Sequence, residues 1–133
     1  MSADSRVATP RTWPELRDEV QSRADRNAYP LTGMKPAEVR EILGAIGGLD
    51  RDAWAEAWSA AGTRNEVRAA DLEKTDRAAA ADAYLMAFRY FAFGGWPVQN
   101  SPGKQASFQR SVIAFRKHAA LSDPPIESVS FPF

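Results

Sequence analysis

Residues 77–95, RAAAADAYLMAFRYFAFGG, constrain the fold more than any other part of the chain. They read as one helix, capped by Thr75 or Asp76 and stopped by Gly94–Gly95. Tyr84, Phe88 and Phe91 form one apolar stripe, and Leu85 and Ala92 widen it. With Tyr90, Phe93 and Trp96 added, the segment is aromatic on nearly every face. A helix that is apolar all round must be sandwiched between layers. The Ala residues at its start permit close approach of a neighbour. The expectation is a layered all-α domain: other helices of the chain cover one side, and a second body or a ligand covers the rest. Left bare, such a surface would promote aggregation.

The remaining helices follow from their punctuation. Thr12 and Glu15 have capping-box spacing, with Pro14 in the first turn, and predict a helix to about Arg26. Pro36 opens a second helix, with Gly47–Gly48 as its stop and Val39, Ile42, Leu43 and Ile46 on its buried side. Asp50 caps a third, in which Trp54 and Trp58 lie one turn apart and bury together. Gly62 leaves two readings open. Either a new helix starts with Thr63 and Glu66 as its capping box, or one helix runs from 51 to about 74 with an internal Gly costing about 1 kcal/mol. Residues 96–104 read as a loop. A last helix over 105–122 then places Phe108, Val112, Phe115 and Ala119 on one buried face. The total is five to six helices, with a polar, frayed N-terminus.

At 133 residues the chain suffices for one domain with a real core. Seventeen basic residues balance seventeen acidic ones, which gives no electrostatic footprint for nucleic acid or an anionic membrane. No apolar run approaches a transmembrane length, and the first residues lack the pattern of a secretory signal. The absence of cysteine excludes disulfides, thiolate metal sites and a Cys nucleophile, and fits a cytoplasmic protein. No Gly-x-Ser-x-Gly elbow and no phosphate-binding Gly loop occur. The single histidine, His118, cannot build a His-x-x-x-His metal site, and its place in the last helical turns suits a structural role beside the helix dipole. Carboxylates are scattered along helix surfaces. No metal and no cofactor is therefore expected.

The ending DPPIESVSFPF departs from this helical pattern. Prolines 124 and 125 stop the last helix; Val129, Phe131 and Phe133 then alternate with Ser130 and Pro132 at the period of a strand. A single strand leaves its backbone groups unpaired, so this one requires a partner.

Four segments, YPLTGMKPAEV, LDRDAWAEAW, DAYLMAFRYFAFGGWPVQN and SFQRSVIAFRKHAALSDPPIESVSFPF, together resemble the helical N-terminal part of the FrsA-like α/β-hydrolases. That group includes the 2,6-dihydroxypseudooxynicotine hydrolase type and fungal polyketide-shortening hydrolases. The resemblance covers residues 27–133. It implies an N-terminal extension and first helix over 1–26, a helical cap over 27–123, and a linker with the first strand of an α/β sheet over 124–133. Pro132 would suit an edge strand. The nucleophilic Ser and its Asp and His partners would lie after residue 133, so no catalytic residue carries over to this chain.

In the family the cap covers the active-site mouth and walls the substrate pocket. Covering a site excludes water and strengthens electrostatic stabilisation inside it, and it restricts which group fits. The resemblance thus implies a lid of a serine hydrolase that cleaves an ester or a C–C bond next to a carbonyl. Its partners would be the catalytic domain, in the same or a separate chain, and a small-molecule substrate; a homodimer is also open. Tyr84, Phe88, Tyr90 and Trp96 are the substrate-pocket candidates, each of which can equally be read as core packing. Ala-rich helices carrying Tyr and Phe also suit a free-standing helical interaction module, which would make no use of the final strand.

Overall fold

Helix boundaries along the chain follow local capping chemistry. The computed structural model describes residues 11–131; all but the last of residues 1–11, expected to be frayed, and the final Pro132–Phe133 lie outside the described residues. Helix α1 (Trp13–Asp25) starts at the capping box: the Thr12 side chain accepts from the Glu15 amide, and the Glu15 carboxylate accepts from the Thr12 amide. Helix α2 (Pro36–Gly44) opens with Pro36 in its first turn and ends a few residues before the Gly47–Gly48 stop that the sequence suggests. Ile46, beyond its end, is still buried. The connection between α1 and α2 is tied internally. Asn27 has φ 52°, and its side chain accepts from the Gly33 amide at 2.8 Å, while Leu31 is fully buried.

Helix α3 (Arg51–Leu72) is capped by Asp50, which accepts from the Ala53 amide at 2.8 Å. It runs unbroken through Gly62, which decides between the two readings of that region. Thr63 and Glu66 form no capping box; both instead bind Arg110, at 3.0 and 2.9 Å. The Gly is required by packing. A Cβ at position 62 would lie 2.7 Å from the Phe91 ring. Helix α4 (Arg77–Gly94) is capped by Asp76, which accepts from Ala79.

Helix α5 (Pro102–Leu121) starts three residues earlier than expected, because Ser101 caps it through the Lys104 amide and Pro102 occupies its first position. The described chain is therefore all-helical, with five helices.

α4 lies along both α3 and α5, while α1 packs on α2 and α2 on α3. The main core joins Val20, Leu31, Val39 and Leu43 to an aromatic cluster of Trp54, Trp58, Tyr90 and Phe93. Ring centroids there are 5.5 Å apart for Trp54–Trp58 and 4.7 Å, edge to face, for Trp58–Phe93. The Trp54 indole N–H donates to the Phe93 carbonyl at 2.9 Å.

Three expectations meet this arrangement. First, α3 and α5 cover α4 from two sides and Phe91 is fully buried, while Phe88 stays half-buried at an open groove. Second, the face of α5 expected inside is largely outside. Ser107, Ser111 and Ala114 are buried against the bundle, whereas Phe108 and Val112 are 40% and 37% exposed. Bulk decides this. α4 presents large rings, so only small residues opposite it let the two helices approach. A Cβ on Gly94 would lie 2.2 Å from the Ser107 hydroxyl, which donates to the Phe91 carbonyl at 2.7 Å. Third, no strand forms among the described residues. Residues 124–131 are exposed and find no ladder partner there, without which alternation alone makes no strand.

Candidate functional site

The displaced apolar face of α5 forms one wall of a groove. Phe88 of α4 and Ile126 of the terminal segment complete it around Phe108, Val112 and Phe115, and the open groove holds about 500 Å³. Local packing fixes the walls. The Phe88 and Phe115 rings meet edge to face at 5.1 Å. The Ile126 amide donates to the Ala119 carbonyl at 3.0 Å, which folds the terminal segment back over the end of α5. Val129 and Phe131 continue outward and are well exposed. Such a surface can hold apolar matter, and its polar lining is Ser111, Arg116, Glu127 and Ser128.

The four residues singled out from the sequence are not brought together. Phe88 lines the groove. Tyr84 is buried, its hydroxyl donates to Glu73, and the Lys117 ammonium stands 5.6 Å from its ring centroid. Burial first, and the Glu73 carboxylate second, push the Tyr84 phenol up to about 12. Tyr90 is fully buried under Trp58, with ring centroids 6.1 Å apart, and its hydroxyl donates to Glu38. Burial, followed by Glu38, raises its phenol further still. Trp96 is half-buried and stacks on Phe93 at 5.1 Å, facing a different cleft at the start of α3.

The spacing of Phe108, Val112 and Phe115 reads as a core face, whereas with Ile126 they form a surface. The available signal was the second stripe on the same helix, Ser107, Ser111 and Ala114, whose small size matches the aromatic helix before it.

Elsewhere the polar groups have structural duties. The His118 Nδ1 pairs with the Ala81 carbonyl at 2.8 Å. Ser122 Oγ lies 3.5 Å from the His118 Nε2, and its proton goes to the His118 carbonyl at 2.8 Å. The pair is thus held to the backbone rather than poised as nucleophile and base. Among the described residues no group of His, Asp and Glu has the arrangement of a metal site. No helix there is long and apolar enough to cross a membrane.

Two known proteins are similar to the chain in sequence. The chain is 35% identical over 108 residues to a protein named Hydrolase ORFZ from Pyricularia oryzae; the match takes in 76% of the chain and 26% of that protein. It is 30% identical over 107 residues to Alpha/beta hydrolase gkaG from Penicillium citrinum, covering 76% of the chain and 24% of that protein. The chain thus spans about a quarter of the length of these curated relatives. These similarities support kinship with α/β-hydrolase-type proteins. No family model matches the chain, and no solved structure matches it.

Proposed function

From this kinship with α/β-hydrolase-type proteins, we propose that the chain is the helical lid of a serine α/β-hydrolase, with the catalytic triad supplied by residues outside it. The observation that carries the proposal is the apolar groove on α5, flanked by the extended segment 124–131. The chain's quarter share of its relatives supports the same reading. A catalytic domain seated on Phe108, Val112 and Phe115 removes their apolar area from water, at about 25 cal/mol per Å². The segment 126–131 then pairs with the sheet of that domain and satisfies its open backbone groups. Phe88 and the groove rings enclose the substrate, an ester or a ketone cleaved next to its carbonyl, and exclude water during attack. The proposed enzyme is of the FrsA-like type.

Intact mass of the protein from its native source tests the reading. A product near or above roughly 40 kDa is expected, since a typical α/β domain adds about 200–250 residues. That product should hydrolyse short aryl esters and lose the activity on treatment with a serine-directed phosphonate. A 14.6 kDa species with no associated hydrolase overturns it. The self-contained aromatic core favours a second reading, a helical interaction module that offers the same groove to a partner. Hydrogen exchange separates the two: protection at residues 126–131 in the larger protein fits the lid, and fast exchange there fits the module.

A further inference from the structure

A second cleft, which shares no lining residue with the α5 groove, lies between the start of α3 and the first turn of α5. Lys104 is only 6% exposed, yet it lines this cleft, and its ammonium makes one hydrogen bond, to the Trp96 carbonyl at 3.1 Å. An ammonium has three donors, so two remain. Arg51 and the helix-capping Asp50 also line the cleft. Among the described residues, neither cation has a carboxylate within 4.0 Å. The nearby acids are otherwise engaged: Asp50 accepts from the Ala53 amide, and Asp52 accepts from the Gly103 amide at 2.9 Å. Burial, with Arg51 as the next cause, lowers the Lys104 amine below its ordinary range, as befits a cation without a counter-ion.

The cleft has an apolar side made by Leu16, Trp54, Trp96 and Pro97, and its volume is about 60 Å³. At about 10–15 Å³ per water by the same measure, it admits on the order of four non-hydrogen atoms. That is the size of a carboxylate with the carbon next to it.

We propose that this cleft binds a small organic carboxylate, held by the open Lys104 donors and the Arg51 guanidinium, with its carbon end against Trp96. Charge-assisted bonds of this kind are the strong ones, and the ligand would meet donors that Asp50, turned to the Ala53 amide, does not take. The site stands whether or not the hydrolase reading does.

Sodium acetate is the probe, titrated into the isotopically labelled chain at constant ionic strength with chloride as the balancing ion. The expected result is saturable shifts confined to the Lys104 side chain, the Arg51 guanidinium and the Trp54 and Trp96 indoles. Dissociation constants on the order of 1 mM are the range open to a ligand of four atoms. Lys104→Met should abolish the shifts. Arg51→Gln, at an exposed position that leaves the fold intact, should weaken binding about tenfold. Three results overturn the proposal: no saturable change with acetate, equal shifts produced by chloride alone, or unchanged affinity in Arg51→Gln.

Discussion

Along one side of α5, Ser107, Ser111 and Ala114 are buried against α3 and α4; along the other, Phe108, Val112 and Phe115 wall an open groove. Both sides belong to one helix with one backbone, so propensity cannot explain the difference. Volume explains it. The neighbouring α4 fills the shared interface with its own rings, and Phe91 is already packed against Gly62 and under the Arg110 guanidinium, 4.3 Å from the ring centroid. Close packing leaves room only for small groups opposite. The lesson is that an apolar stripe identifies a surface that wants covering, without saying whether this chain or another body covers it.

The comparison can be broken most severely at the small side. Gly94→Val places a branched side chain where a Cβ already meets the Ser107 hydroxyl at 2.2 Å, and should cost about 3 kcal/mol as α4 and α5 are forced apart. A urea midpoint unchanged from the parent would refute the tight seam. Gly62→Val drives a side chain into the Phe91 ring and should cost about 2 kcal/mol by the same measurement.

An intermediate effect sharpens the picture at alkaline pH. The Tyr84 phenol rises from the ordinary 10.0 to about 12 in the folded state, so the folded form holds its proton more tightly than the unfolded form. The stability this contributes is complete below pH 10 and is lost as pH climbs from 10 toward 12. Tyr84→Phe should flatten the fall over that window, leaving the share due to Tyr90, whose phenol is raised in the same direction. Equal slopes in variant and parent would count against the Glu73 bond and the burial together.

The smallest stability effect belongs to the open side. Val112→Glu and Phe108→Glu should each change folding stability by about 0.5 kcal/mol or less, as surface substitutions do. In the larger protein envisaged above, the same changes should cut ester hydrolysis at least several-fold by spoiling the docking surface. Large destabilisation of the isolated chain would mean that these rings are core after all.

Local chemistry made much of the architecture legible. The Thr12–Glu15 capping box, Pro36 in a first turn, and the caps at Asp50 and Asp76 are each decided within a few residues, and helices start where those side chains reach the open amides. The Ser101–Pro102 pair carries the same signal for α5, although residues 96–104 read as a loop. Aromatic spacing likewise identified the Trp54–Trp58 pair and the ring-rich α4 as the centre of the core. Of the site candidates, only Phe88 reaches the groove, since Tyr84 and Tyr90 turn their hydroxyls to Glu73 and Glu38, partners 11 and 52 residues away in the chain.

By itself, then, the sequence determined where helices begin and which segment must be buried, because capping and periodicity act over one or two turns. Only the tertiary structure decided that Gly62 stays inside a continuous helix, that Lys104 is buried without a counter-ion, and that α5 turns its rings outward. Each of those depends on the size and charge of groups brought from distant parts of the chain, which no local pattern encodes.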